Sequence, residues 1–225
     1  MRFPSFAYRR LLTAIVVSGC VSLGLLHAEQ FEDQIMVPDA KVQQSRDEFV
    51  KSFHRIGLNT TPGDATLLRI MVESSKAKRG VEIGTATGYG AMVMGLAFER
   101  NGGHLTTIDI DPEMVKTAKA NLKKMELDKV VTVVEGDALK VLPTLEGPID
   151  FVFIDAVKSD YLKYLRAIEP KLKPGAVIVA DNVIKSADAM RDFLDVVESG
   201  ADYHTVIVRA SEEKGDGMAI IYCVK

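Results

Sequence analysis

The sequence predicts an α/β fold with a doubly wound, mostly parallel sheet of seven strands that ends in an antiparallel hairpin. First, short apolar runs alternate with segments of helical spacing from residue 80 onward, which is typical of a parallel sheet covered by helices. Second, a glycine-rich turn joins the first of these strands to its helix. Third, only the polar turn 211–217 separates the last two strands, which favours antiparallel pairing. Together these features indicate a Rossmann-like sheet.

Length and composition indicate one core rather than several. The 225 residues are 47% hydrophobic, which suffices for one sizeable domain, and we place it at residues 58–225. The net charge is -3, from 28 basic and 31 acidic residues, and no lysine or arginine cluster follows the first dozen residues. A nucleic acid is therefore not expected as a partner, whereas a homodimer remains open.

The N-terminus carries the pattern of an export signal. Three arginines occur among the first ten residues, an apolar stretch spans residues 11–26, and Ala28 offers a small residue for cleavage. The residues that end at Cys20 also resemble a bacterial lipobox, and an uncleaved membrane anchor is a further option. Residues 1–28 are therefore predicted to be a signal peptide or membrane anchor, with the protein exported or held at the membrane. The alternative is a start codon placed too far upstream of a cytoplasmic protein.

Two helices are predicted before the first strand. Residues 29–57 are expected to form a linker and an amphipathic helix over 41–56, because apolar side chains recur there at helical spacing. These side chains are Val42, Phe49, Phe53 and Ile56. Thr60-Thr61-Pro62-Gly63-Asp64 then signals a helix start, with a hydroxyl cap, a proline in the first turn and an acid near the positive end of the helix.

The remaining elements follow from the same alternation. Strands are predicted at 80–83, 105–108, 130–134, 149–154, 176–180, 203–208 and 218–224. Helices are predicted at 89–100, 112–124, 138–142, 161–168 and 187–198. Asn101-Gly102-Gly103 closes the first of these helices, and Pro112 lies in the first turn of the second. The pattern therefore gives five strand–helix units followed by a hairpin.

The first strand leads into a glycine-rich turn that contains Gly84, Gly88 and Gly90. Such a turn lets the backbone approach a bound cofactor closely. Its spacing differs from G-x-G-x-x-G, because Ala86 stands where a second glycine would be, and no basic residue is present to meet a pyrophosphate. The departure disfavours nicotinamide dinucleotides and nucleoside triphosphates. A turn that only packs the helix against the strand is the structural alternative.

Acidic residues follow the second and third strands. Asp109 comes 21 residues after Gly88, where a carboxylate can accept hydrogen bonds from both hydroxyl groups of a ribose. Asp111 competes for this role, but Asp111-Pro112 looks more like the cap of the next helix. Asp137 follows the third strand, where it could meet an adenine amino group, and a second helix cap is the equal alternative.

Polar side chains also end the fourth and fifth strands. Asp155 follows the strand at 149–154, and Asp181-Asn182 follows the strand at 176–180. Because ligands bind at the carboxyl ends of parallel strands, these three side chains could offer oxygen ligands to a hard divalent cation. Lys158 lies three residues after Asp155 and could assist there. The alternative is a strand cap, a plain turn and a solvated lysine.

The order of these motifs along the chain is specific. They are Glu82-x-Gly84 with Gly88-Tyr89, Asp109, Gly136-Asp137-Ala138, the run from Phe153 to Tyr161, Ala180-Asp181-Asn182 and Gly215-Asp216-Gly217-Met218. In this combination the chain resembles the class I S-adenosylmethionine-dependent O-methyltransferases, from about residue 60 to its end. Within that class it is most similar to the cation-dependent group that contains catechol and caffeoyl-CoA O-methyltransferases.

The resemblance implies a role for each candidate residue. S-adenosylmethionine would contact Thr60, Glu82, Gly84, Thr85, Gly88, Gly90, Asp109, Asp137, Ala138 and Asp155. Glu82 would lie near the cofactor ammonium group, Asp109 would hold the ribose, and Asp137 with Ala138 would border the adenine. A divalent cation, with magnesium expected, would be bound by Asp155, Asp181 and Asn182. Asp155 and Lys158 would be catalytic, with Lys158 as general base or as an electrostatic aid to deprotonation.

The implied reaction is methyl transfer to a hydroxyl group of a small phenol or catechol. A phenol titrates near pH ~10 and is a weak nucleophile when neutral, so coordination to a dication would help to activate it. Only Val183–Ser186 separates Asn182 from the next predicted helix, and Val157 stands where relatives often carry a polar or aromatic residue. The short loop predicts a more open acceptor site, and Val157 weakens the transfer of any particular acceptor preference from the relatives. Methyl transfer to another nucleophile, or a catalytically silent cofactor-binding protein, are the two alternatives.

Overall fold

The computed structural model describes residues 39–212 and 214–225, which form a seven-stranded sheet with helices against both faces. The strands are β1 (Arg79–Ile83), β2 (His104–Asp109), β3 (Val131–Glu135), β4 (Ile149–Ile154), β5 (Leu172–Ala180), β6 (Tyr203–Val208) and β7 (Met218–Cys223). The helices are α1 (Ala40–Ser52), α2 (Pro62–Ser74), α3 (Tyr89–Asn101), α4 (Pro112–Lys124), α5 (Ala138–Val141), α6 (Tyr161–Ile168) and α7 (Arg191–Val197). The order β3-β2-β1-β4-β5-β7-β6, with β7 antiparallel to both neighbours, confirms the predicted fold class.

The strand order reverses direction at β1, which has β2 on one side and β4 on the other. Ile83, at the end of β1, pairs with Ile108 of β2 and with Ile154 of β4. Ile154 in turn pairs with Ala180 of β5. Four strands therefore end at the same level of the sheet, and the residues after them open into one crevice at the switch point.

Two hydrophobic layers cover the two faces of the sheet. β4 is buried along its whole length, as expected for a continuous apolar run in a central parallel strand. Phe151 and Phe153 belong to the layer that contains α2, α3 and α4, whereas Val152 and Ile154 belong to the layer that contains α6 and α7. The residues that follow β4 are thus held by packing on both sides.

α1 is shorter than predicted and is fixed by a polar anchor. The helix ends at Ser52 rather than at residue 56, because Phe53 takes an extended backbone and turns its ring onto Tyr89. Arg46 is buried, donates a hydrogen bond to the carbonyl oxygen of Met125 at 2.7 Å and forms an ion pair with Glu99 at 2.6 Å. This long-range anchor has no counterpart in the hydrophobic pattern from which the helix was predicted.

Arg46→Ala is expected to lower the free energy of unfolding by about 3 kcal/mol, because it leaves the mostly buried carboxylate of Glu99 without its partner. Urea denaturation followed by circular dichroism measures the loss. Arg69→Ala is the matched control, because Arg69 pairs with Glu73 in a far more exposed place and should cost less than about 1 kcal/mol. Equal losses in the two variants would contradict the anchoring role of Arg46.

Several further boundaries differ from the predicted ones. β5 begins at Leu172 rather than at residue 176, because Leu172 pairs with Ile149 ahead of a register irregularity against β4. The helix predicted at 187–198 is a 3₁₀ turn over Ala187–Met190 followed by α7, since the backbone of Met190 departs from helical angles. β7 also ends one residue earlier than predicted. None of these changes moves the strand ends that form the crevice.

The predicted N-terminal segments lie outside the described residues. These are the signal peptide or membrane anchor at 1–28, its apolar stretch at 11–26 and most of the linker that follows. Across residues 39–212 and 214–225, no helix has both the length and the apolar composition that a membrane crossing requires.

Candidate active site

The glycine turn after β1 is shaped by close contacts that exclude side chains. Gly84 has a positive φ of 97°, and a Cβ at this position would overlap the carbonyl oxygen of Asp155. Gly88 also has a positive φ, of 90°, and lies against Ala118 of α4. A Cβ at Gly90 would lie 2.7 Å from a carboxylate oxygen of Glu82. The glycines therefore bring the turn against β4 and leave room for the Glu82 side chain.

Asp109 holds this turn in place. Its Oδ2 accepts hydrogen bonds from the backbone N–H of Thr85 at 3.0 Å and of Ala86 at 2.8 Å, while Oδ1 accepts from Asp111 N–H at 3.0 Å. Ala86 has a positive φ of 46°, which is uncommon for a residue with a side chain, and the bond from Asp109 helps to stabilise it. A carboxylate retains further acceptor positions, so Asp109 could still accept hydrogen bonds from ribose hydroxyl groups. The clamping role was not predicted from the sequence.

Glu82 is a buried carboxylic acid with one strong hydrogen bond. Thr107 Oγ1 donates to its Oε2 at 2.5 Å, and only 1% of the residue is exposed. Burial raises the pKa of Glu82 to about 8, and the Thr107 hydrogen bond opposes part of this rise. A buried carboxyl of this kind is suited to meet a cationic group of a ligand, because the ligand would supply the missing charge.

A buried hydroxyl group without a partner lies next to Glu82. Thr60 Oγ1 has no hydrogen-bond partner among the described residues, although buried hydroxyl groups are nearly always bonded. The Thr60 side chain and the Glu82 carboxylate both lie within van der Waals reach of the space above Gly90. The predicted residues Thr60, Glu82 and Gly90 are thus brought together, and they fit the amino-acid end of a cofactor such as S-adenosylmethionine.

Asp111 and Asp137 both act as helix caps. Asp111 accepts from the first turn of α4, as expected, and Asp137 accepts from Leu139 N–H at 3.0 Å at the start of α5. The structural alternative for Asp137 is therefore present in the fold. A contact of Asp137 or Ala138 with an adenine ring stays a prediction, and the side chain of Asp137 is 37% exposed and accessible to a ligand.

The acid after β4 is joined to Lys158 and Tyr161. Lys158 Nζ donates to Asp155 Oδ1 at 2.7 Å and to the Tyr161 hydroxyl oxygen at 2.9 Å. Tyr161 in turn donates to the main-chain oxygen of Asp181 at 3.1 Å. Lys158 is therefore part of the crevice rather than a solvated loop charge. Tyr161, which belongs to the recognised motif but had no predicted role, links the ends of β4 and β5.

Burial controls the ionisation of this group. It raises the pKa of Asp155, the Lys158 ammonium opposes the rise, and the carboxylate of Asp181 adds to it. Burial together with the charges of Asp155 and Asp181 holds the pKa of Tyr161 well above its usual value. The tyrosine hydroxyl is therefore a neutral hydrogen-bond donor at neutral pH.

The acid and amide after β5 are oriented by the turn before β7. Asp181 is fully buried, and its Oδ1 accepts from the backbone N–H of Asn182 at 2.6 Å. Asn182 Nδ2 donates to Asp216 Oδ2 at 3.3 Å, which leaves its amide oxygen available. Asp216 is itself fixed by three backbone N–H groups, including that of Gly217 at 2.8 Å. The Gly215-Asp216-Gly217 turn thus sets the direction of Asn182.

Lys214 reaches the same place and was missed in the sequence. Its ammonium contacts Asp181 Oδ2 and lies 3.4 Å from Asp64 Oδ2, although 150 residues separate Lys214 from Asp64. Asp64 was predicted only as an acid in the first turn of a helix, and it does occupy that position in α2. The signal for Lys214 was weak, because a single lysine beside a glycine turn is usually solvated.

The donor set at the ends of β4 and β5 suits a hard cation. Asp155 and Asp181 offer carboxylate oxygens and Asn182 an amide oxygen, the ligand types that magnesium and calcium prefer. Within residues 39–212 and 214–225, no group of three or more histidine, cysteine, aspartate or glutamate side chains is arranged to hold a metal ion. The two acids and the amide would therefore need water or substrate oxygens to complete a coordination shell. Two lysine ammonium groups already contact the two acids.

Known proteins resemble this chain over most of its length. Residues 38–200 match the family described as O-methyltransferase. A catechol O-methyltransferase of Niastella koreensis is 33% identical over 137 residues, which cover 59% of this chain. The match spans 62% of that relative, which is less than two thirds of its length. A caffeoyl-CoA O-methyltransferase of Stellaria longipes is 29% identical over 174 residues, which cover 72% of this chain and 71% of the relative.

A solved structure shares the fold over most of the chain. The O-methyltransferase TomG of Streptomyces achromogenes, in complex with S-adenosylmethionine, superposes with a TM-score of 0.71 at 25% sequence identity. The match covers 87% of this chain and 94% of that protein.

Proposed function

The chain belongs to the O-methyltransferase family of S-adenosylmethionine-dependent enzymes, and we propose that it methylates a hydroxyl group of a small phenolic or catecholic acceptor. We further propose that a divalent cation, with Mg²⁺ favoured, is bound by Asp155, Asp181 and Asn182 and activates that hydroxyl. The names of the catechol and caffeoyl-CoA relatives support an acceptor of this class.

One observation carries the proposal: two different chemical environments meet at Asp155. The turn after β1 lies against the main chain of Asp155, because Gly84 has no side chain to keep them apart. The Asp155 side chain points instead to Lys158. A donor held by the glycine turn and an acceptor held beyond Asp155 would therefore be neighbours, which is the positioning that a collinear methyl displacement requires.

The cofactor half of the site is formed by the ends of β1, β2 and β3. Glu82 would pair with the cofactor ammonium, and the unbonded Thr60 hydroxyl would gain a partner beside it. Asp109 would accept hydrogen bonds from the ribose hydroxyl groups while it continues to hold the glycine turn. Asp137 and Ala138 would border the adenine. Each of these groups binds and orients the donor without taking part in bond formation.

The acceptor half is formed by the ends of β4 and β5. A bound dication would lower the pKa of a coordinated phenol and fix its oxygen. Lys158 Nζ has two of its three N–H groups committed to Asp155 and Tyr161, which leaves one to approach the acceptor oxygen. We propose that the Lys158 ammonium stabilises the developing phenolate electrostatically and that the phenol proton passes to solvent rather than to the lysine.

A panel of small acceptors tests this function. The full-length chain is incubated with S-adenosylmethionine, Mg²⁺ and, separately, a catechol, a monophenol, an aniline and a thiophenol, and products are identified by mass spectrometry. We expect the O-methylated catechol to be the main product. Transfer only to nitrogen or sulfur would favour another nucleophile. Cofactor binding by calorimetry without any transfer would favour a catalytically silent binding protein.

A further inference from the structure

Lys214 places a positive charge where a metal ion would be bound. Its ammonium contacts Oδ2 of Asp181, and the other oxygen of that carboxylate accepts from the backbone of Asn182. Both oxygens of Asp181 therefore already have a donor. A cation that takes Asp181 as a ligand must displace one of these donors, and the side-chain ammonium can move more easily than the backbone amide.

A second acid lies within reach of the same ammonium. Asp64 Oδ2 is 3.4 Å from Lys214 Nζ, and Asp64 and Asp181 are both almost completely buried, with 4% and 1% of their side chains exposed. Two buried carboxylates so close together need a compensating charge. Lys214 provides this charge for both, and a short rotation of its side chain would shift it from one acid to the other.

The backbone beneath Lys214 is held from two sides. Lys185 Nζ donates to the main-chain oxygen of Lys214 at 2.6 Å. Asp216, two residues further on, accepts from the backbone N–H groups of Ile184 and Lys185 at 3.1 and 3.0 Å. The position of the ammonium at the acids is therefore a consequence of a turn that is tied to the loop after β5.

We propose that Lys214 is an internal cation that competes with a divalent metal ion for Asp181 and that moves onto Asp64 when the metal ion binds. The inference rests on the metal site of the proposed function. It makes Lys214 the residue that sets how much divalent cation the enzyme requires. Because only the fraction of molecules with Asp181 released can bind the ion, the apparent affinity is reduced by that fraction.

The direct test is a titration of the full-length chain with Mn²⁺, without cofactor or acceptor. Electron paramagnetic resonance measures the concentration of the ion that remains free. Lys214→Met keeps most of the length of the side chain and removes its charge. We expect it to tighten Mn²⁺ binding by about tenfold or more. Lys173→Met is the charge-matched control. Lys173 pairs with Asp150 at 3.1 Å at the start of β4, away from the carboxyl end of that strand. This variant should leave the Mn²⁺ affinity within about twofold of the wild type.

A second variant separates competition from simple charge repulsion. Asp64→Asn removes the acid to which Lys214 would move, so we expect it to weaken Mn²⁺ binding severalfold in the wild-type background. In the Lys214→Met background the same change should have a clearly smaller effect, because no lysine remains to be accommodated. If the two substitutions act independently, the coupling between Lys214 and Asp64 is absent and the inference is overturned. Asp64→Asn alone also provides a test if Lys214→Met does not fold.

The possible outcomes distinguish this inference from the proposed function. Equal or weaker Mn²⁺ binding in Lys214→Met would overturn the competition and leave the metal site standing. No Mn²⁺ binding in either protein, with S-adenosylmethionine still bound, would overturn the metal site and the inference together, but not the methyl donor. Tighter binding in Lys214→Met with coupling to Asp64 would support both.

Discussion

Asp181→Ala is expected to lower kcat for methyl transfer on the order of 10³-fold while the affinity for S-adenosylmethionine changes by less than about threefold. Asp181 is one of two carboxylates proposed to hold the cation, and its side chain is fully buried at the end of β5. None of the residues proposed to contact the cofactor belongs to β5 or to the turn after it, so the cofactor contacts should survive. The main-chain oxygen that accepts from Tyr161 is also retained in alanine.

Steady-state kinetics and calorimetric titration measure the two effects of Asp181→Ala separately. Asp188→Ala is the matched control, because Asp188 lies in the loop region after β5 with a fully exposed side chain that pairs only with exposed Arg191 in the described contacts. It should leave both quantities unchanged. A parallel loss of cofactor affinity in Asp181→Ala would mean that the division of the site into two halves is wrong.

Glu82→Gln should weaken binding of S-adenosylmethionine by about 10²-fold, because it removes the only proposed partner of the cofactor ammonium in a fully buried place. Glutamine has nearly the same shape, so the contact with Thr107 and the space above Gly90 are preserved. Glu135→Gln is the control, since it removes an equal charge at the exposed end of β3. An unchanged affinity in Glu82→Gln would exclude the proposed ammonium site.

The pH dependence of cofactor binding follows from the same residue. With a pKa of about 8, the Glu82 carboxyl is mostly protonated at neutral pH in the free protein. An incoming ammonium favours the ionised form, so binding must release a proton. Affinity should therefore rise as the pH is raised from about 6 to 8, by up to about tenfold per unit, and the rise should be absent in Glu82→Gln. Proton release can be measured by calorimetry in buffers of different ionisation enthalpy.

The same pKa makes an opposite prediction for stability. Glu82 binds its proton more tightly in the folded chain than in the unfolded chain, where the usual value is 4.5. Its contribution to stability is therefore present at low pH and is lost as the pH rises toward 8. Glu82→Gln should unfold at a higher temperature than the wild type above pH 8 while it binds the cofactor less well. This combination is expected of a buried acid that serves a ligand rather than the fold.

The sequence predicted those site residues whose position follows from a strand end. Asp109, Asp155 and Asp181 each come directly after an apolar run, and the register of a parallel sheet brings such residues to one edge. Lys158 could be placed because it lies only three residues after Asp155 in the sequence. Local periodicity thus sufficed for the acids and for the lysine beside them.

The remaining residues could not be predicted because their partners are distant in the chain. Lys214 meets Asp64 across 150 positions, and Arg46 meets Met125 across 79. No spacing rule connects such pairs. From the sequence alone, both Lys214 and Arg46 would ordinarily be assigned to the solvated surface. The early end of α1 has a similar cause, since the contact of Phe53 with Tyr89 prevails over the helical pattern. Tertiary contacts decided each of these features.

We propose that this crevice transfers a methyl group from S-adenosylmethionine to a cation-activated catechol oxygen. The most direct measurement is product formation by the full-length chain with S-adenosylmethionine and a catechol, first with Mg²⁺, then with excess chelator, and then with Mg²⁺ restored. We predict an O-methylated catechol that disappears with the chelator and returns with the ion. Transfer at an undiminished rate in the chelator, or no transfer to any catechol by a chain that binds the cofactor, would contradict the claim.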